Sequence, residues 1–146
     1  MRITQEADYA LRICAFLSKS EKPVGAPQLS EELCIPERFT SKILRRLMLS
    51  GLTTSSRGAY GGFSLSIPAR DLSLLRVIEA IDGPIAIRHC LDDGHICTYS
   101  ENKDTCRFHC VFEELNRMLR SRLDMLSIED ITSNALPVST LLERIK

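Results

Sequence analysis

The chain has 146 residues, 44% of them hydrophobic and 26% charged, enough for one domain with a core of its own. Nineteen Lys and Arg match nineteen Asp and Glu, but residues 1–70 carry ten basic and six acidic side chains and residues 71–146 nine and thirteen, so the front half is the part suited to a polyanion. No apolar run approaches the ~20 residues of a membrane span, and Glu6, Asp8 and Arg12 interrupt any signal-peptide core; the expectation is a cytoplasmic protein with reduced thiols and no membrane partner.

Thr4 is placed to cap a first helix, with Glu6 and Asp8 near its positive end. Ala7, Ala10, Leu11, Cys14 and Leu17 recur at spacings of three and four, which predicts a buried stripe that includes Cys14. Pro27 suits the first turn of a short second helix carrying Leu29 and Leu33. The turn Cys34-Ile35-Pro36 follows, with Cys34 read as core. A third helix is predicted from Pro36 to Ser50, its inner side marked by Phe39, Ile43 and Leu47 and its end by Gly51.

Leu52–Ser56 and Phe63–Ile67 have strand character, and Arg57-Gly58-Ala59-Tyr60-Gly61-Gly62 between them supplies a glycine-rich tip. A helix-turn-helix followed by a β-hairpin is a winged helix. Ser73 caps a fourth helix through Ile81, closed by Gly83-Pro84. The next stretch reads as loop, including Asp92-Asp93-Gly94 and Ser100-Glu101-Asn102. Phe108, Phe112, Leu115, Leu119, Leu123 and Leu126 then follow at spacings of 4-3-4-4-3, close to a heptad seam. Pairing of this helix in a homodimer, through Phe112, Leu115, Leu119, Leu123 and Leu126, is the economical reading; packing back on the first helix is the plainer alternative.

The predicted fold is mostly α with a small β-hairpin: a winged helix-turn-helix over residues 1–83, a cysteine-rich loop over 84–110, a dimerisation helix over 108–131 and an unassigned tail over 132–146. Residues 36–58 hold Arg38, Lys42, Arg45, Arg46 and Arg57 against Glu37 alone. Such a run is most often a solvated surface. Here it falls on the second helix of a helix-turn-helix, the element that enters the major groove of double-stranded DNA. Arg38, Thr40 and Ser41 lie near its N-terminus, within reach of base edges, and Lys42, Arg45 and Arg46 lie further along. Arg57 would enter the minor groove, with Gly58 and Tyr60 beside it on the wing. A dimer on a pseudo-palindromic operator would double this footprint.

Cys90, Cys97, Cys106 and Cys110 are separated by six, eight and three residues, with His109 beside the last. No C-x₂₋₄-C pair of a zinc finger is present, and a disulfide framework does not suit a reducing compartment. Soft thiolates fit an iron–sulfur cluster better, with a metal-free thiol switch as the alternative.

Together with this loop, Met1-Arg2-Ile3-Thr4, Tyr9-Ala10-Leu11-Arg12, Gly51-Leu52, Arg57-Gly58-Ala59-Tyr60-Gly61-Gly62-Phe63 and Val77-Ile78-Glu79-Ala80-Ile81-Asp82-Gly83-Pro84 resemble the Rrf2 family of bacterial winged-helix regulators over roughly residues 1–131. The resemblance implies a homodimer whose long helices pair, and an iron–sulfur cluster on Cys90, Cys97 and Cys106. The gaps between these cysteines are longer than is usual in the family, so 2Fe–2S and 4Fe–4S both stay open. His109 matches the fourth ligand of one branch, and Asp8, reaching across from the other subunit with Arg12 beside it, that of the nitric-oxide-sensing branch. Cys110 is a third option without a counterpart in either.

The expected function is therefore homodimeric transcriptional regulation, as a repressor, in response to redox state, iron or nitric oxide. Rival readings are a cluster-free regulator responding to thiol oxidation or zinc, and a partner-binding module that has lost DNA. An enzyme is not expected: no nucleophile–base–orienter set is visible, and Gly58, Gly61 and Gly62 lie between two strands rather than before a helix.

Overall fold

In a computed structural model, residues 3–58, 60–92, 94–100, 102–133 and 136–146 are described. Met1 and Arg2 of the N-terminal motif, Ala59 of the wing, and Asp93 and Glu101 of the loop lie outside them. The elements run α1 (Gln5–Ser18), α2 (Ala26–Glu32), α3 (Glu37–Leu49), β1 (Thr53–Ser56), β2 (Gly62–Leu65), α4 (Leu74–Asp82), α5 (Arg107–Asp124), α6 (Ile128–Thr132) and α7 (Val138–Arg144).

The start signals act as expected. Thr4 accepts a hydrogen bond from the Ala7 amide and Ser73 one from the Arg76 amide, so each supplies an acceptor to a helix end that lacks one. Helix α1 lies at the centre, packed on α3, α4, α6 and β2. Its buried residues are Ala7, Ala10, Ile13, Cys14 and Leu17; Ile13 takes the inner place expected of Leu11, which is half-buried against the edge of the core. Cys14 is fully enclosed, and burial pushes its thiol pKa up to about 12 because the thiolate would be stripped of water. Cys34 is not core. It adopts a left-handed conformation, φ 51°, in the α2–α3 turn and its side chain is exposed.

Strands β1 and β2 pair antiparallel with Thr53 opposite Leu65 and Ser56 opposite Gly62. Val24 extends the wing by exchanging backbone hydrogen bonds with Phe63, 3.0 and 2.9 Å. Gly62 permits this approach, since a Cβ there would lie 2.6 Å from the Val24 carbonyl carbon.

The predicted helix over 108–131 is two helices. α5 ends at Asp124, and Ser127 with Asp130 forms a reciprocal capping box that starts α6. Between them the chain turns back on the segment before α4. The Leu74 amide donates to the Leu126 carbonyl and the Ile128 amide to the Leu72 carbonyl, both at 2.8 Å, and Ser73 donates to the Asp124 carboxylate at 2.6 Å. Ile128 is thereby buried in the main core with α1.

This turn also places part of the expected dimer stripe against the chain's own core. Leu119 and Leu123 pack on Leu75, Ile78 and Ile85 of the same chain, and Leu126 is buried beyond the end of α5. Phe112 is half-buried, with the Arg88 guanidinium 5.1 Å from its ring. Of the expected set only Leu115 faces outward. The bare stripe of α5 is Phe108, Val111, Leu115 and Met118, continued by Met125 just past its end. The tail forms α7, tied to α6 by an ion pair between Arg144 and Asp130 at 2.6 Å.

Candidate nucleic-acid interface and cysteine pocket

Helix α3 begins at the Ile35-Pro36 turn and buries Thr40, Ile43, Leu44 and Leu47, which turns its remaining residues outward. Arg38, Ser41, Lys42 and Arg45 are exposed and Arg46 is half-exposed. Thr40 is a correction: its side chain is 0% exposed, facing the carbonyls of Ile35 and Pro36, and is closed to a base edge. The periodicity that buries Ile43 and Leu47 also places position 40 inside, because i, i+3 and i+7 share one face.

Arg38 lies over the Phe39 ring at 4.8 Å, and Phe39 meets Tyr9 of α1 edge-on. Lys42 and Arg46 both reach one carboxylate, that of Glu6 on α1, at 2.7 and 3.7 Å. Sequence reading treated Glu6 only as a helix-dipole residue; no local signal joins positions 6, 42 and 46. Arg57 is exposed at the wing, Gly58 has φ 110°, and Tyr60 is 93% exposed.

The second constellation lies at the start of α5. A cavity of about 150 Å³ is lined by Cys90, Cys97, Cys106 and His109, together with Arg88 and Lys103. Cys90 sits on a 3₁₀ turn, His89–Leu91, and Cys106 is the residue that begins α5. Backbone hydrogen bonds at Ser100 and then Tyr99, helped by the charges of Arg88 and Lys103, hold the Cys97 thiol pKa below its usual range. His109 is 12% exposed with Nε2 4.0 Å from Glu113, and its Nδ1 is buried without a hydrogen-bond partner among the described residues. An orphaned buried nitrogen of this kind is costly unless something completes it.

Two alternatives stand apart from the cavity. Cys110 is exposed, its thiol donating to the Asp104 carbonyl at 3.3 Å. Asp8 is paired with Arg12 at 2.7 Å on the surface of α1. Arg88 and Lys103 had no sequence signal, since the fold alone brings two cations to the thiols. Among the described residues no three His, Cys, Asp or Glu side chains converge on a single ion site. The donors surround a volume instead.

The fold and its basic face define a winged-helix transcriptional regulator, a DNA-binding protein rather than an enzyme. The chain belongs to the Rrf2 family, described as an iron-dependent transcriptional regulator, whose sequence profile matches residues 3–134. An rrf2-like HTH-type transcriptional regulator of Rhodobacter capsulatus is 33% identical over 148 aligned positions, covering 97% of this chain and 99% of that protein. The HTH-type transcriptional regulator IscR of Xenorhabdus nematophila is 28% identical, covering 92% and 80% respectively. Among solved structures, CymR, the global cysteine regulator of B. subtilis, shares the fold with a TM-score of 0.72 at 22% identity, covering 93% of this chain and 99% of that one. No helix among the described residues is long and apolar enough to cross a membrane.

Proposed function

We propose that the chain acts as a homodimer on a pseudo-palindromic operator in double-stranded DNA and senses redox state, iron or nitric oxide through an iron–sulfur cluster. Cys90, Cys97, Cys106 and His109 would hold it. The carrying observation is the cavity that gathers these four side chains of one chain and leaves Cys110 outside its lining. The donor set fits the group: three sulfurs, one of them biased toward thiolate, and an imidazole with an unsatisfied buried nitrogen. When bound, such a cluster supplies one-electron chemistry and reactivity toward small oxidants. Arg88 and Lys103 offset the negative charge that three thiolates would gather.

Arg38, Ser41 and Arg45 are the base-reading candidates on α3, with Lys42 and Arg46 toward the backbone and Arg57, Gly58 and Tyr60 on the wing. The dimer forms along Val111, Leu115, Met118 and Met125, spaced four, three and seven apart on the bare side of α5.

The test is anaerobic purification with iron and sulfide quantified per chain, beside DNA binding before and after removal of the iron. Iron and sulfide in equal amounts, lost in Cys97→Ala and His109→Ala, support the reading. A colourless, metal-free protein whose DNA affinity follows thiol oxidation would instead establish the cluster-free alternative, which the lowered Cys97 pKa suits equally well.

A further inference from the structure

We propose that Glu6 is a specificity-determining residue of the DNA interface: by holding Lys42 and Arg46 it weakens binding to the sugar–phosphate backbone alone and so widens the gap between operator and non-specific DNA. The inference rests on the reading that α3 faces DNA.

Helix α3 carries four cations, Arg38, Lys42, Arg45 and Arg46. Lys42 and Arg46 are one turn apart and share a face, and the two oxygens of the Glu6 carboxylate divide between them, Oε1 to Lys42 at 2.7 Å and Oε2 to Arg46 at 3.7 Å. Glu6 is only 23% exposed, whereas Lys42 and Arg46 are 55% and 40% exposed, so the carboxylate lies deeper than the cations it holds. Arg38 and Arg45 have no carboxylate partner among the described residues.

Non-specific binding draws nearly all its free energy from cations that shift freely among phosphates. Two of the four on α3 are drawn toward one carboxylate on α1, and a phosphate that engages them competes with it. On the operator, base contacts by residues that Glu6 does not touch hold α3 in one register, so the tether matters less. Exposed ion pairs are weak, so the effect is graded rather than a block.

The experiment compares the full-length wild type with Glu6→Gln, which keeps the side chain's shape, on an operator selected from random-sequence DNA and on a scrambled duplex of equal length, across a salt series. Glu6→Gln should bind the scrambled duplex at least about threefold more tightly, with a log K against log salt slope steeper by about one for each cation gained. Operator affinity should rise less, so the specificity ratio falls. Unchanged scrambled-duplex affinity and slope, or an equal gain on both DNAs, would overturn the proposal. In a Lys42→Ala, Arg46→Ala background the gain from Glu6→Gln should shrink; a gain of full size would show that the carboxylate acts only as diffuse charge, and the proposal falls. A wild type that binds neither duplex would remove the DNA-face reading itself.

Discussion

Among the basic side chains of α3 and the wing, Arg45 and Arg57 stand out because each is exposed with neither an ion-pair partner among the described residues nor, as Arg38 has, an aromatic ring beneath it. Replacing either with Ala should therefore weaken DNA binding without changing the melting temperature: Arg57→Ala should flatten the salt slope by about one as a phosphate contact is lost, and Arg45→Ala should in addition relax the sequence preference. Salt-series binding with wild type beside both variants checks this; unchanged affinity in both would move the interface elsewhere. Cys14 makes a different residue-scale prediction. Its folded pKa is raised to about 12, whereas an ordinary thiol titrates near 9.0. Between those values the unfolded chain has released the proton and the folded chain retains it, so stability is fully present below pH 9 and falls as pH rises toward 12. Denaturation against pH should show a decline in that window that is shallower in Cys14→Ala. Cys14 as core was legible from helical spacing, whereas Cys34 occupies the left-handed position that closes α2, where the Cys34 and Ile35 amides return to the Glu31 and Ser30 carbonyls, a place usually held by glycine and open to solvent.

The long helix α5 shows what periodicity can and cannot assign. A stripe at mixed spacings of three and four identified an amphipathic helix correctly, but two apolar faces overlap on it. Leu119 and Leu123 belong to the inner face with Leu75, Ile78 and Ile85, and Leu115 and Met118, each 47% exposed, belong to the outer one. Two substitutions separate these roles. Leu119→Asp places a charge among the chain's own apolar residues and should destabilise the fold by several kcal/mol, about the scale of an unpaired buried charge. Leu115→Asp or Met118→Asp should leave the protomer folded and shift it to monomer. Circular dichroism with light scattering reads both; a folded, fully dimeric Met118→Asp protein would show that the dimer uses another surface.

Across the whole molecule, a series of polar contacts, linked in places only through the backbone, runs from the cysteine loop to α3. Asn116 on α5 accepts from the Ile87 amide at 3.1 Å and donates to the Ile85 carbonyl at 3.0 Å. Glu79 on α4 accepts from the Ile85 amide at 2.9 Å and pairs with Arg120. One turn on, at the C-terminal end of α4, Asp82 accepts from the backbone and hydroxyl of Thr4, which caps α1, and α1 carries Glu6 to α3. The strip from Ile85 to Ile87 leads directly to Arg88 and Cys90, so a change of the loop bears on α4 and α5 together. Coupling needs a differential interaction in two states, and this strip is where one would act. Asn116→Ala should therefore reduce the difference in DNA affinity between iron-loaded and iron-free protein while leaving iron content unchanged. An undiminished difference would exclude this route.

The winged helix was readable from the chain because its determinants are local: a capping Thr4 and Ser73, a basic helix between Pro36 and Gly51, and glycines between two short strands. The nearness of Cys90, Cys97, Cys106 and His109 around one cavity accords with their clustering along the chain, while the cluster proposed for them rests on the family resemblance and on the softness of thiolate ligands. What local pattern could not reach are relations between distant positions. The Glu6 tether, the cations beside Cys97, and the division of α5 into inner and outer faces each depend on which elements lie against which. Spacing along one helix defines an apolar face, but only packing against the rest of the chain determines which part of that face is consumed within it and which is left bare.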